Sequence, residues 1–232
     1  MKILLTGAAQ GLGLATASEA LERGLQVIAT VRDMKRSGHV QELSDKYPQQ
    51  LDIVQIDVND EHEISEAKLQ IEQKHGHIDA LINNAGILIA RDQKLEQLNF
   101  EDVELTMQTN LYGPMKVAKH FLPLLRKSSQ PCIINISSEA GSFSAAYGAD
   151  YPYALSKSGL NFFTAQLRKE LVPQGFVVYS VHPGWIKTQM GGDQAPGHPQ
   201  DTAVGLMNLV ERKVQPEQES WMINHKGEAM PY

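Results

Sequence analysis

The chain has 232 residues, 42% of them hydrophobic and 21% charged, with a formal charge of −6. This balance suits one domain (1–232) with a substantial core, and without a basic run it argues against a nucleic-acid surface. The single cysteine, Cys132, excludes an intramolecular disulfide and a multi-cysteine metal site, and its apolar neighbours mark it as a buried thiol.

In chain order, short apolar runs at 2–5, 26–31, 52–56, 80–82, 132–136, 176–181 and 221–223 alternate with stretches of helical spacing. The helical stretches include 13–23, 61–75, 100–126 and 153–171. Such alternation predicts βαβ units, hence an α/β fold with a single doubly wound, mostly parallel sheet and helices on both faces. Residues 189–200, dense in Gly, Pro, Gln and Asp, read as a loop of functional length. The apolar run in 1–7 is too short for a signal peptide, and no segment is long enough to span a membrane. A reducing cytoplasm is therefore the expected location.

The first strand leads directly into Thr6-Gly7-Ala8-Ala9-Gln10-Gly11-Leu12-Gly13. Glycines at such a turn permit positive φ and close backbone approach, and a helix starting near Leu12 aims its free N–H groups at an anion. A dinucleotide pyrophosphate fits, whereas a P-loop is excluded because no Lys-Ser/Thr pair follows Gly13. The second strand ends at Val31 without an acid, and Arg32-Asp33 follows. Arg32 suits a 2′-phosphate, while Asp33 suits a 2′-hydroxyl and repels a phosphate. The balance favours NADP(H), with NAD(H) as the alternative.

Later strand ends add polar groups along one edge. Asp57-Val58 closes the third, Asn83-Asn84-Ala85-Gly86 the fourth, Ser137-Ser138 the fifth and Pro183-Gly184 the sixth. Asn110 lies inside a helical stretch, where asparagine is mildly unfavourable. In Tyr153-Ala154-Leu155-Ser156-Lys157 the four-residue spacing puts phenol and ammonium on one helix face, about 5–6 Å apart at Cβ. A neighbouring ammonium favours the phenolate of a tyrosine whose ordinary pKa is about 10, making it a proton-transfer group. The histidines lack metal-binding spacing; His75 and His77 flank Gly76 at a helix end, where a solvated or dipole role is expected.

Thr6-Gly7-x3-Gly11-x-Gly13, Asn83-Asn84-Ala85-Gly86, Asn110, Ser138, Tyr153-x3-Lys157 and Pro183-Gly184 together resemble the ordered signature of the short-chain dehydrogenase/reductases. The resemblance spans nearly the whole chain and implies a Rossmann-type fold. Segments 182–192 and 227–231 resemble the compact branch that includes C-factor and sniffer-type carbonyl reductases.

The resemblance implies Tyr153 as general acid in reduction, with Lys157 stabilising its phenolate and binding the nicotinamide ribose. It also implies that Ser138 polarises the carbonyl and that Asn110 anchors a water leading from Lys157. Gly7, Gln10, Gly11, Leu12 and Gly13 would meet the pyrophosphate, Arg32 the 2′-phosphate, and Asp57 and Val58 the adenine. Asn84, Ala85 and Gly86 would run along the adenosine side, with Pro183, Gly184, Ile186 and Thr188 at the nicotinamide. The family's NAD-using members usually carry an acid at the position of Val31. Gln10 departs from the Arg or Lys that some NADP enzymes place in the glycine turn. The Ser138–Tyr153 spacing is slightly long, consistent with an insertion around 145–150, and leaves Ser137 and Ser142 as further candidates for the serine role.

The expected activity is NADP(H)-dependent reduction of a small or medium carbonyl compound to an alcohol. The alternatives are an NAD(H)-dependent alcohol dehydrogenase of the same fold and a dinucleotide-binding signalling protein of C-factor type. Loops 140–151 and 189–200, both flexible in composition, are expected to set the substrate. The long helical stretches are compatible with a homodimer or a monomer. No metal, nucleic acid or membrane partner is expected.

Overall fold

The computed structural model describes residues 1–217 and 219–232, with Arg36 described by its backbone alone. Seven strands form one parallel sheet: β1 (Lys2–Leu5), β2 (Gln26–Val31), β3 (Leu51–Gln55), β4 (Ala80–Asn83), β5 (Cys132–Ile136), β6 (Val177–His182) and β7 (Met222–Asn224). Their order is β3-β2-β1-β4-β5-β6-β7, and every pairing is parallel. The order reverses between β1 and β4, where Leu5 stands beside Ala29 on one side and Ile82 on the other. Doubly wound sheets bind ligands in the crevice beyond such a reversal.

Strand residues alternate between two cores, as the pleat requires. Ile3, Leu5 and Ala29 pack under α1 (Gly11–Glu22), α2 (Gly38–Lys46) and, through Leu206 and Val210, α7 (Pro199–Val210). Leu4, Ile28 and Leu81 face α3 (Glu61–His75), α5 (Gly113–Leu125) and α6 (Tyr151–Leu171). The expected doubly wound architecture is therefore present, with a sheet that is wholly parallel.

Three local departures from the sequence reading have physical causes. Helix α2 buries only Val40, so it leaves almost no apolar periodicity to read. Helix α7 starts at Pro199, inside the stretch read as loop, because proline tolerates the first turn of a helix. The stretch 100–126 is not one helix: α4 (Phe100–Met107) runs into a π turn at Gln108–Tyr112 before α5. Pro114 has no N–H, so the carbonyl of Asn110, four residues earlier, loses its α-helical donor there.

His75 stands in the last turn of α3, as the expected dipole role requires, but it is not solvated. Its ring lies 2.6 Å from Asp52 on β3, whose other carboxylate oxygen accepts from Lys74. Cys132 is buried, and burial pushes its thiol up to about 12. No helix among the described residues is long and apolar enough to cross a membrane.

Candidate active site

A cleft of about 1300 Å³ lies over the β1/β4 reversal. Its floor is a clamp between the loops that follow these strands. The Thr6 hydroxyl accepts from Asn84 N at 2.9 Å and Ala85 N at 3.0 Å, while Asn84 Nδ2 donates to the carbonyls of Thr6 and Gly7 at 2.9 and 3.0 Å. Gly7 has φ +68°, and a Cβ there would lie 2.9 Å from Ala85 Cα. A Cβ on Gly13 would stand 2.2 Å from the Gly7 carbonyl oxygen. Only glycine lets these three segments meet.

The cradle fits a pyrophosphate. Helix α1 begins at this turn with no side-chain cap on Gln10 and no acid in its first turn, so its first N–H groups face the cleft without a competing carboxylate. Gln10 Nε2 instead donates to Gln189 Oε1 at 2.9 Å, linking the turn to the loop beyond β6. Gly11 has Thr188 Cγ2 at 3.4 Å from where its Cβ would be. On the adenosine side, Arg32 is exposed at the end of β2. Asp33 is turned to its own chain, accepting from Lys35 N at 2.9 Å. Asp57 and Val58 line the same end, with Asp57 N donating to Glu63 Oε2 at 2.7 Å.

Tyr153, Lys157 and Ser138 meet at the opposite end of the cleft. Helix α6 presents the tyrosine and lysine one turn apart, and Lys157 Nζ lies 5.6 Å from the Tyr153 ring centroid. That ammonium is buried and donates to the Ile136 carbonyl at 2.7 Å. Burial pushes the Tyr153 phenol up; a hydrogen bond from Ser138 and the charge of Arg91 oppose the rise, and Asp150 adds to it. The lowering expected from Lys157 is not what sets this phenol, because Nζ is turned to the Ile136 carbonyl. The result is a protonated tyrosine at neutral pH.

The serine candidates separate clearly. The hydroxyl of Ser137 is turned inward, donating to Asn161 Oδ1 at 2.6 Å, and that of Ser142 pairs with Ser144 at 2.9 Å. Ser138 caps the short turn Glu139–Gly141, with Oγ accepting from Ala140 N at 3.1 Å. Asn110 sits in the π turn beneath the cleft, fully buried. Its Oδ1 accepts from Ile87 N at 2.8 Å, and its Nδ2 donates to Ile87 O at 2.9 Å and Ser156 Oγ at 3.1 Å. Gly86 lets Asn110 and Lys157 approach the same point, since a Cβ there would lie 3.3 Å from Asn110 Oδ1 and 3.8 Å from Lys157 Nζ. Apart from Asn110 and the further serine candidate Ser142, every residue expected at the site lines the cleft, Pro183, Gly184 and Ile186 included.

A buried polar network supports this wall and was not anticipated. Asn161 Oδ1 accepts from Ser137 and from Ser180 on β6, each at 2.6 Å, while Asn135 links Asn83 on β4 to Thr164 on α6 at 2.8 Å each. Asn161 and Thr164 follow Lys157 on the same helix face, so the network fixes the rotation of α6. His182 adds a tie, its Nδ1 accepting from Glu139 N at 3.2 Å, and burial pushes this imidazole down toward its neutral form. Residues 189–200 are also more ordered than their composition suggests. Gly197 O accepts from Lys187 N at 2.9 Å, and Trp185 Nε1 donates to Gly191 O at 2.8 Å.

Burial pushes Lys157 down to about 8. Its ordinary value is about 10.4, so between these limits the unfolded chain binds more protons and stability rises with pH. Below about pH 8 the buried charge costs roughly 3 kcal/mol. A Lys157→Met variant is therefore expected to lose stability relative to the natural chain as pH rises from about 7 to about 10. Melts across that range check this, and a pH-independent difference contradicts it.

A dinucleotide cradle at a strand-order reversal, with a half-buried tyrosine and a buried lysine beside it, defines an NAD(P)-dependent oxidoreductase of the doubly wound class. The family model described as short chain dehydrogenase matches residues 1–198, and the chain belongs to that family. C-signal of Myxococcus xanthus is 32% identical over 158 residues, covering 68% of this chain and 94% of that protein. Among solved structures, the NADPH-bound carbonyl reductase from chicken fatty liver superposes with a TM-score of 0.91 at 31% identity, covering 100% of this chain and 98% of that one. The carbonyl reductase Sniffer of D. melanogaster gives 0.92 at 29%, covering 100% and 99%. These likenesses put the chain in the C-factor and sniffer-type branch.

Proposed function

We propose that the protein reduces a small or medium carbonyl compound to an alcohol using NADPH, with residues 1–232 acting as one domain. The observation that carries this reading is the placing of Tyr153 beside Ser138 at the far end of a cleft whose near end is the glycine cradle. When bound, a nicotinamide cofactor would supply a hydride, one hydrogen with its two electrons, to the carbonyl carbon. Gly7, Gly11 and Gly13, with the N-terminus of α1, hold the pyrophosphate. Asp57 and Val58 flank the adenine, and Ile186 and Thr188 orient the nicotinamide end.

Ser138 donates a hydrogen bond to the carbonyl oxygen, polarising it and holding it at the phenol. Tyr153 then gives its proton to that oxygen as negative charge develops there. Lys157, one turn below, offsets the charge left on the phenolate. Asn110 occupies the next position inward, where a water between it and Lys157 would return the proton. A donor must be protonated before reaction, and a phenol pushed up by burial satisfies this at any physiological pH.

NADPH is favoured over NADH by Arg32 at the end of β2, with Val31 in place of an acid and Asp33 engaged by Lys35 N. A hydrogen bond to a charged partner contributes about 1.5–3 kcal/mol, or roughly tenfold to a hundredfold in affinity. Arg32→Gln is expected to raise KM for NADPH by that factor and to shrink the NADPH/NADH ratio of kcat/KM. An equal loss with both cofactors would count against a 2′-phosphate site. The similarity to C-signal supports a second reading, a dinucleotide-binding signal whose turnover is incidental. It would prevail if a turnover-dead, folded variant kept the biological role.

A further inference from the structure

Arg91 stands in the cleft without a part in the steps above. It follows β4 and lines the substrate end together with Ser138, Tyr147, Tyr153 and Met190. Its Nη2 donates to the Met190 carbonyl at 2.8 Å, which anchors the guanidinium across the mouth from the loop after β4 to the loop after β6. That contact uses one of five donors, and Arg91 makes no ion pair among the described residues. The two acids that line this end of the cleft are otherwise engaged. Asp150 accepts from Tyr147 Oη at 3.1 Å and from Asp92 N at 3.3 Å, and Glu139 lies 3.9 Å from His182, facing solvent.

The backbone around Arg91 is strained in a way that aims it. Ala90 has φ 56° and Asp92 φ 59°, so both neighbours are left-handed, and Asp150 across the mouth has φ 50°. Residues with a Cβ adopt this conformation at a cost, and non-glycine outliers concentrated at a cleft point to function. The charge of Arg91 also reaches both cleft phenols, opposing the rise at Tyr153 and at Tyr147.

We propose that Arg91 is a specificity-determining residue that binds a carboxylate on the substrate, so that the preferred substrates are oxo acids, aldehydes or ketones bearing a carboxylate. This rests on the carbonyl reduction proposed above. A planar guanidinium with unused donors takes a carboxylate through two parallel hydrogen bonds and holds it more specifically than a point charge does. With the acid end held at the mouth by Arg91, the carbonyl end reaches inward toward Ser138 and Tyr153.

The test uses two matched pairs with NADPH: 4-carboxybenzaldehyde against its methyl ester, and succinic semialdehyde against its methyl ester. In at least one pair kcat/KM is expected to favour the carboxylate tenfold or more, with the advantage in KM and shrinking as salt rises. Arg91→Gln is expected to abolish the ratio and Arg91→Lys to keep part of it. A merely structural role through Met190 would lower both members of a pair alike. If the esters are reduced as well as the acids, or Arg91→Gln leaves the ratio intact, the assignment of Arg91 is overturned while carbonyl reduction stands. If none of the four compounds is reduced with either cofactor while neutral carbonyls are, the oxo-acid assignment fails. If no carbonyl is reduced at all, the underlying reading fails with it.

Discussion

Tyr153→Phe is expected to lower kcat for carbonyl reduction by about 10²–10⁴, with NADPH affinity kept within a few-fold. The phenol is the group placed to give a proton to the carbonyl oxygen, and phenylalanine keeps its shape while removing that proton. Tyr153 accepts a hydrogen bond from Ser138 but donates to no buried partner among those described, so the fold loses little. The ring packing beneath Lys157 remains. Steady-state kinetics together with NADPH fluorescence titration separate the two effects. Loss of binding in proportion to kcat would mean that Tyr153 serves the cofactor and not the proton.

Gly13→Ala is expected to have the largest effect on the fold. Its new Cβ would stand 2.2 Å from Gly7 O and 2.6 Å from Asn84 Nδ2. Neither atom can yield, because Asn84 Nδ2 already donates to Gly7 O and Thr6 O in the clamp between β1 and β4. Overpacking of this kind costs about 3 kcal/mol or more, a fall in Tm of about 6–12 °C for a chain of this size. NADPH binding should be lost as well, since α1 must shift away from the turn. Gly38→Ala serves as the control: among the described residues nothing lies within 4 Å of its Cβ and its φ is not positive, so its Tm should hold or rise. Similar melting of the two variants would show that the glycine cradle is not close-packed.

Much of the site was legible because its chemistry is local in sequence. The Tyr153–Lys157 spacing needs only a helix, and Gly7, Gly11 and Gly13 need only a strand-to-helix turn. The strand ends at Asn84, Ser138 and Pro183 come together because the sheet is parallel, which the alternation already implied. Asn110 stands out in the sequence as an unfavourable helical residue. The reason it is there, a π turn, was also encoded, in Pro114 four residues on.

What escaped is contributed by chain paths that no period reports. Arg91 enters the cleft through left-handed backbone at Ala90 and Asp92, two residue types that do not announce it. Tyr147 arrives on the segment 140–151, read as a substrate-setting loop with an insertion but with no role for this side chain, and His182 closes a strand otherwise apolar in character. The network of Asn135, Asn161 and Thr164 depends on α6 crossing β5 and β6, a tertiary fact. The sign of the Tyr153 shift escaped for a related reason. Spacing places Lys157 on the right helix face, but only the fold shows its Nζ bonded to the Ile136 carbonyl.

Reduction of carbonyl compounds with NADPH is the activity proposed for this cleft. Its most direct test is to follow NADPH and NADH oxidation with the natural chain across a panel of aldehydes and ketones, carboxylated and neutral. Turnover is expected with NADPH, at a kcat/KM at least tenfold above that with NADH. Absence of turnover with every carbonyl, or a clear preference for NADH, would contradict it.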